Sequence, residues 1–204
     1  MSFRKRLHAW LLAKGAESPE VETERLKREL FSGMRGLVVE IGSGPGSNLP
    51  YFPKGITLVA VEPNSHMREY FEARAHTIGF NNYKFLTSSA EEIPLGDNTA
   101  DAVVSTRVLC SVRDLTKVLH EVRRLLKPAG EFIFIEHVAA PRRSLLYFFQ
   151  KIFKLPWGFI ADGCRPDQET LYLIKRAGFS EVKAESLKIG NGLIAPHIFG
   201  IARK

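Results

Sequence analysis

The sequence predicts an α/β fold in which helices cover both faces of a seven-stranded, mostly parallel sheet. Short apolar runs alternate with helix-like segments along the chain, which is typical of parallel strands joined by crossover helices. The first apolar run, residues 37–41, ends directly in glycines, as expected of a buried strand that leads into a tight turn. With 204 residues and 45% hydrophobic content, the chain can bury one core, so residues 1–204 are expected to form a single domain.

The predicted elements follow one another without internal repeats or low-complexity linkers. Helices are expected at about 3–14, 18–32, 65–78, 114–126 and 167–177, and strands at about 37–41, 57–62, 83–86, 102–105, 131–136, 181–187 and 196–202. The second helix begins at Ser18-Pro19-Glu20, because Pro at the first helical position and acids in the first turn mark a helix start. Residues 1–32 are predicted to form an N-terminal helical cap, and residues 139–164 an insertion on the substrate side.

Cysteine content and hydropathy indicate an intracellular, cytoplasmic protein. The two cysteines, Cys110 and Cys164, are too few for a disulfide framework. No apolar run approaches the roughly 20 residues that a membrane-spanning helix needs. We therefore expect neither secretion nor a membrane span.

The basic balance of the chain bears on its partners. The formal net charge is +7, with basic clusters at 4–6, 123–127 and 142–154. The first and last clusters flank aromatic and aliphatic residues, a mixture that suits a lipid interface better than a phosphate backbone. Peripheral membrane contact through the N-terminus and residues 143–160 is one expectation, and an ordinary solvated face is the other. The oligomeric state is left open.

The turn after the first strand is the strongest local signal. It has the pattern Gly42-x-Gly44-x-Gly46, in which the missing side chains let the backbone approach a ligand closely. Dinucleotide dehydrogenases prefer a G-x-G-x-x-G spacing, whose last position is Ser47 in this chain. A second acid, Glu62, ends the second strand eighteen residues after Gly44, where an acid can accept hydrogen bonds from ribose hydroxyls. A tight structural corner followed by a helix entry is the alternative interpretation.

Five motifs, in this order, resemble the class I S-adenosylmethionine (SAM)-dependent methyltransferases. They are Val39-Glu40-Ile41-Gly42-Ser43-Gly44-Pro45-Gly46, Glu62, Ser89-Ala90-Glu91-Glu92-Ile93-Pro94, Asp101-Ala102-Val103-Val104 and Leu126-Lys127-Pro128-Ala129-Gly130. The resemblance implies a Rossmann-like fold with an antiparallel C-terminal strand. It also implies SAM as cofactor and S-adenosylhomocysteine as product.

The resemblance assigns cofactor contacts to this sequence. Glu40 would hold the amino group of the cofactor's methionine portion, and Glu62 would hold the ribose. The glycines would pass under the cofactor, and Thr106 and Arg107 would line its reactive end. The full set of cofactor residues implied is Glu40, Gly42, Ser43, Gly44, Gly46, Glu62, Pro63, Ser89, Ala90, Glu91, Thr106 and Arg107. Ser89 stands where Asp is common, so Ala90 or Glu91 could make the adenine contact instead.

The second half of the chain is similar to the methyltransferase-like seven proteins, which methylate alkyl thiols. The similarity rests on 108–112, 136–139, 161–164 and 195–200. Two features differ from that family's pattern: the long hydrophobic N-terminal anchor is not expected here, and Arg107 stands at an apolar position. Phospholipid N-methylation, quinone-pathway C- or O-methylation and a non-catalytic, membrane-associated SAM-binding protein remain alternatives.

Thiol methylation makes modest demands on the protein, because the cofactor carries the activation and a free thiol has a pKa of roughly 8.5. His197, His137 and Asp162, in that order, are the candidate bases, while a structural role is the alternative for each. The aromatic-rich insertion is expected to form a lid or pocket wall, with a helix packed on the core as its alternative. Cys110 is expected to be a small buried hydrophobe, and no metal ion is expected.

Nucleic acid is not an expected partner. Many amino-directed nucleic-acid methyltransferases carry Asn/Asp-Pro-Pro-Tyr/Phe after the fourth strand. At this place the present chain has Ser105-Thr106-Arg107-Val108.

Overall fold

The strands and helices alternate along the chain, as the sequence predicts. The structure is a computed structural model that describes residues 2–15 and 21–204. Its helices are α1 (Ser2–Gly15), α2 (Val21–Phe31), α3 (Met67–Ile78), α4 (Leu115–Leu125), α5 (Leu145–Ile160) and α6 (Thr170–Arg176), with a 3₁₀ turn at Leu49–Tyr51. Its strands are β1 (Leu37–Ile41), β2 (Thr57–Val61), β3 (Tyr83–Leu86), β4 (Ala100–Thr106), β5 (Leu126–His137), β6 (Glu181–Lys188) and β7 (Pro196–Arg203). The predicted helix start at residues 18–20 lies outside the described residues.

One sheet contains all seven strands, in the order β3-β2-β1-β4-β5-β7-β6. Strands β1 to β5 are parallel to one another, whereas β7 runs antiparallel to both β5 and β6. The strand order therefore reverses between β1 and β4. Ligands of open α/β sheets bind at the carboxyl ends of the strands beside such a reversal. The predicted Rossmann-like topology with an antiparallel C-terminal strand is confirmed.

Two apolar layers bury the faces of the sheet. Helix α4 shows how the sequence produces one of them, because Leu115, Val118, Leu119 and Val122 recur at helical spacing and are all buried. Asp114 accepts a hydrogen bond at 3.1 Å from the backbone nitrogen of Lys117, which caps the helix. The apolar cluster on the opposite face mixes aliphatic residues with aromatic ones, among them Phe31, Phe52, Phe71 and Phe85.

Strand β5 begins earlier than predicted. The segment 127–130 was expected to be a loop after α4, but β5 already starts at Leu126, which pairs with Ala100 of β4. The register between the two strands shifts at this point, and Ala129 has a positive φ of 62°. Pro and Gly thus end the helix without interrupting the extended chain, because a bulge absorbs the extra residues.

Candidate active site

The glycine turn lies at the carboxyl end of β1 and leaves room for a ligand. Gly42 and Gly44 have φ values of +65° and +52°, which side chains rarely adopt. A Cβ on Gly42 would lie 2.3 Å from Cγ2 of Val108, so close packing excludes a side chain there. A Cβ on Gly44 would meet only the carbonyl oxygen of Gly42, at 4.0 Å. The surface above Gly44 is therefore open to a closely approaching ligand.

Glu40 is a buried acid with one unused oxygen. Its Oε1 accepts a 2.6 Å hydrogen bond from Nδ2 of Asn48, whereas no donor among the described residues reaches its buried Oε2. Burial raises the pKa of Glu40 from 4.5 to about 8. A buried acceptor without a donor costs free energy. The amino group of SAM is a donor of the right charge, so this position fits the cofactor.

Glu62 ties the end of β2 to the glycine turn. Its Oε2 accepts a 3.1 Å hydrogen bond from the backbone nitrogen of Gly44, and its Oε1 accepts one of 2.8 Å from that of Asn64. Burial raises its pKa. Each carboxylate oxygen has a second lone pair, so both can still accept from the ribose hydroxyls. The neighbouring Pro63 is exposed, whereas Ser43 in the turn is buried.

The segment Ser89-Ala90-Glu91 follows β3, and most of its polar groups bind within the protein. Glu91 accepts hydrogen bonds from the backbone nitrogens of Arg113 and Asp114, at 2.8 and 3.2 Å, and from the hydroxyl of Ser89. These contacts lower the pKa of Glu91, with the Ser89 bond as the strongest lowering cause. Its carboxylate thus holds the loop before α4 in place. Ala90 is buried beside it.

Thr106 and Arg107 lie at the carboxyl end of β4, as predicted. Oγ1 of Thr106 accepts a 3.1 Å hydrogen bond from Asn48, which also binds Glu40. Arg107 has a positive φ of 58° and donates a 3.3 Å hydrogen bond to the hydroxyl of Thr23 on α2. Asn48 therefore links the first and fourth strands. Arg107 joins α2 to the loop that would face the reactive methyl group.

Sequence reasoning missed Glu136, which holds this loop. Glu136 is fully buried at the end of β5, and it accepts a 2.5 Å hydrogen bond from the hydroxyl of Ser105. It also accepts from the backbone nitrogens of Val108 and Leu109, at 2.9 and 3.1 Å. Burial raises its pKa to about 7. An acid inside an otherwise apolar strand was the available sequence signal.

Lys27 was also missed. It lies on α2 with 5% of its surface exposed, and its Nζ is 3.4 Å from the carbonyl oxygen of Ser47 and 5.1 Å from the ring centre of Tyr51. Burial lowers its pKa from 10.5 to about 8, which the charge of Glu40 partly opposes. The buried positions 23, 27 and 31 follow the spacing of one helix face, which could have identified it.

The three candidate bases do not lie together. His137 and His197 are paired residues of β5 and β7, both are buried, and their ring centres are 6.1 Å apart. Nδ1 of His197 is 3.0 Å from the carbonyl oxygen of Ala195. Asp162 instead faces α1, 3.2 Å from Nη2 of Arg4 and 3.5 Å from Nδ1 of His8. The two histidines thus lie at the carboxyl edge of the sheet, and Asp162 contacts side chains of α1.

Both cysteines lie beside His137. Sγ of Cys164 is 3.2 Å from Nε2 of His137 and accepts a 3.2 Å hydrogen bond from Nε1 of Trp157. The pKa of Cys164 is lowered, first by a hydrogen bond from Cys110 and then by His137, and the pKa of Cys110 is raised in return. One ligand atom from each of Cys110, His137 and Cys164 lies within 4.8 Å of the others. A cluster of buried soft donors was not expected from the sequence.

The insertion between β5 and α6 is mostly helix α5, which displays its apolar side. Only Gln150 of this helix is buried, and it binds the backbone of Val138, Ala140 and Leu193. The large apolar residues of α5 that are exposed are Leu145, Phe148, Phe149, Ile152, Phe153, Leu155, Phe159 and Ile160. The alternative of a helix packed on the core is thus wrong for most of its side chains. A wall beside the site stays a prediction.

A family profile for the methyltransferase domain matches residues 39–134. A solved SAM-dependent methyltransferase from Thermotoga maritima is 26% identical, with a TM-score of 0.63, and the match covers 89% of each chain. Together with the glycine turn and the two flanking acids, these matches define the protein as a class I SAM-dependent methyltransferase.

The relatives place it more narrowly. Human thiol S-methyltransferase TMT1B is 35% identical over 96% of this chain and 85% of its own length. Human thiol S-methyltransferase TMT1A is 33% identical over 87% of this chain and 78% of its own. The chain belongs to the family that these two enzymes represent.

Proposed function

We propose that this enzyme methylates the sulfur of a small hydrophobic thiol. The similarity to thiol S-methyltransferases carries the proposal, because it continues beyond the shared cofactor domain into the half of the chain that surrounds the acceptor. The buried histidines and the apolar side of helix α5 are compatible with a hydrophobic thiol as acceptor. A thiol is also a mild requirement, since its pKa lies only about one to two units above neutral pH.

The cofactor residues are proposed from their geometry. Glu40 binds the amino group, Lys27 binds the carboxylate, Thr106 and Arg107 line the reactive end, and the turn around Gly44 lets the backbone approach. Glu62 binds the ribose, and the backbone at Ala90 borders the adenine. SAM supplies an electrophilic methyl group when it is bound. The protein's own contribution is to align the acceptor, exclude water and neutralise the charges of the cofactor's amino-acid end.

At the acceptor side, His137 and His197 are the proposed positioning groups. They lie on adjacent strands at the carboxyl edge of the sheet, and His137 directly follows the acid that holds the loop 107–109. Asp162 ranks last of the three candidates, because its carboxylate is engaged by Arg4 and His8 of α1. We assign Asp162 to closing α1 over the site instead.

An acceptor panel tests the proposed function. Purified protein is incubated with SAM and, separately, an alkyl thiol, a phospholipid amine and a quinol, and the methylated products and S-adenosylhomocysteine are measured by mass spectrometry. We expect that, of the three acceptors, only the thiol is methylated, which gives a methyl thioether. Methylation of the amine or the quinol with no thioether would contradict the proposal, and so would SAM binding without turnover on any acceptor.

Replacing Lys27 by Met should weaken SAM binding without unfolding the protein. Loss of a charge-assisted hydrogen bond costs about 1.5–3 kcal/mol, so we expect the Kd for SAM to rise at least about tenfold. Removing a desolvated charge should leave the melting temperature equal or higher. Calorimetric titration and thermal unfolding measure the two effects. Lys54→Met, at an exposed position, is the control. A lowered melting temperature with unchanged affinity would assign Lys27 a purely structural role.

We further propose that α1 and α5 contact an anionic lipid surface. Neither helix contains an acidic residue, α1 carries Arg4, Lys5, Arg6 and Lys14, and α5 exposes its apolar side. The two helices meet where Arg4 lies 5.1 Å from the ring centre of Phe159. Basic residues beside exposed apolar ones are typical of interfacial helices. In the described parts of the chain, no helix combines the length and apolarity that crossing a bilayer requires.

Vesicle flotation tests this surface. The protein should float with vesicles containing phosphatidylserine, and the double variant Phe148→Ser, Phe159→Ser should lose at least about tenfold in binding, since burying one Phe is worth roughly 1.5–3 kcal/mol. Tyr172→Ser removes an exposed aromatic residue from α6 and serves as control. Equal flotation of all three proteins, or none for the wild type, would refute the lipid contact.

A further inference from the structure

Three buried side chains from distant parts of the sequence converge at the carboxyl edge of the sheet. Cys110 follows β4, His137 ends β5, and Cys164 follows α5, and their exposed fractions are 2%, 3% and 6%. Their ligand atoms lie within 4.8 Å of one another. It is unusual for two thiols and an imidazole to lie together in a hydrophobic core, because each of them is a polar or reactive group.

We propose that Cys110, His137 and Cys164 bind a zinc ion whose fourth position takes the sulfur of the acceptor. Cysteine and histidine are the ligands that zinc prefers, and sites with three protein ligands keep the fourth position for water or substrate. In the described residues no fourth Cys, His, Asp or Glu joins the cluster. The role of the fourth position rests on the proposed thiol substrate, whereas zinc binding itself does not.

The distances suit a zinc site. With Zn–S and Zn–N bonds of about 2.3 and 2.05 Å, tetrahedral ligands are about 3.5 Å apart for S and N, and about 3.8 Å apart for two sulfurs. Sγ of Cys164 and Nε2 of His137 are 3.2 Å apart. The three ligand atoms all lie within 4.8 Å, so movements of about 1 Å suffice to close the shell.

The surrounding contacts hold the ligands in place. The indole nitrogen of Trp157 donates to Sγ of Cys164, a type of outer hydrogen bond that orients metal ligands. The backbone nitrogen of Arg165 donates to the carbonyl oxygen of Cys110 at 3.0 Å, and the Arg165 side chain donates to that of Val112 at 2.8 Å. The loops that carry the two cysteines are thereby joined before any ion binds.

The chemistry balances without an oxidant. When zinc binds, Cys110 and Cys164 coordinate as thiolates, so the protons that the free pair carries pass to the buffer as the Zn–S bonds form, and His137 binds through a lone pair. The acceptor thiol likewise loses its proton as its sulfur occupies the fourth position. Zinc has no redox chemistry, so no electrons are exchanged. The bound sulfur is then held as a thiolate in a water-poor site at neutral pH.

Measurements of metal content and spectroscopy on the whole protein test whether the three residues bind zinc. We expect one zinc per chain by native mass spectrometry after reconstitution. Cobalt substitution should give the charge-transfer and tetrahedral ligand-field bands of a two-thiolate site. Cys110→Ser, Cys164→Ser and His137→Asn should each weaken zinc binding at least tenfold. His120→Asn, at an exposed histidine, should leave it unchanged.

Zinc binding, thiol binding at the zinc and thiol methylation can be tested separately. Reduced protein that binds SAM yet takes up no zinc overturns the site, and a Cys110–Cys164 disulfide under air would then account for the cluster. Addition of an alkyl thiol should shift the cobalt spectrum without any SAM present, and an unchanged spectrum overturns the fourth-position role. Zinc and thiol binding without thioether formation would reject the proposed function alone, whereas full turnover in metal-free enzyme would reject the zinc role alone.

Discussion

Replacing Glu40 by Gln should raise the Kd for SAM about 10- to 100-fold at pH 8, because a hydrogen bond to a charged group contributes about 1.5–3 kcal/mol. Gln is nearly isosteric, and its carbonyl oxygen can still accept the bond that Asn48 donates to Oε1. The fold should therefore persist. Calorimetric titration with SAM measures the affinity, and thermal unfolding checks the fold.

The affinity for SAM should depend on pH through the protonation of Glu40. The pKa of Glu40 is raised to about 8, so at pH 7 the acid is mostly protonated and must release a proton when it meets the cofactor's ammonium group. Between pH 6 and 7 the Kd should fall about tenfold as the pH rises. The raised pKa also makes the free protein less stable as the pH rises from 4.5 to about 8, because the folded state binds the extra proton.

The variant supplies its own control. Glu40→Gln cannot release the proton, so its affinity should be independent of pH between 6 and 7, and the stability slope should disappear. Titrations in buffers of different ionisation enthalpy report the released proton directly. An unchanged pH profile in the variant would assign the proton release to another group and contradict the role of Glu40.

Replacing Glu136 by Gln should destabilise the protein and displace the loop 107–109 that follows β4. The buried carboxylate accepts from two backbone nitrogens and one hydroxyl, and Gln would turn an amide N–H₂ towards some of these donors. An unsatisfied buried donor costs about 1–3 kcal/mol, so a loss of about 2–4 kcal/mol is expected. That corresponds to a fall in melting temperature of roughly 5–15 °C for a chain of this size.

A milder change of the same network is the matched comparison. Ser105→Ala removes one donor and leaves both backbone nitrogens paired with Glu136, so it should cost only about 1 kcal/mol. We expect the affinity for SAM to fall with Glu136→Gln and to change little with Ser105→Ala. Equal melting temperatures for the two variants would show that Glu136 does not hold the loop.

Much of the candidate cofactor site could be located in the sequence because its signals are local. Gly42, Gly44 and Glu40 are close neighbours in the sequence, and their spacing is set by one strand and one turn. Glu62 is remote, but the short connection between β1 and β2 and the five residues of β2 fix its distance from the turn. The contacts of Glu91 could not be predicted from local patterns, since its carboxylate accepts a hydrogen bond from the backbone nitrogen of Arg113, 22 residues further along the chain.

The acceptor side was predictable only in outline. The histidines could be placed at the edge of the sheet, but no spacing indicates that Cys110 and Cys164 meet at His137, since 27 residues separate each cysteine from the histidine. The insertion was recognised as aromatic, yet its exposed side follows from Gln150, which binds three backbone groups and fixes which face turns inwards.

The sequence by itself determined the alternating fold, the glycine turn with its two acids and the methyltransferase class, because each depends on periodicity or short spacing. The tertiary structure decided which buried charges and soft donors face one another. Lys27 comes from a helix outside the sheet, Glu40 from β1 and Asn48 from the turn beyond it, and Cys110, His137 and Cys164 from three separate segments. Parallel strands bring such residues to one edge, and only the packed chain shows which of them come into contact.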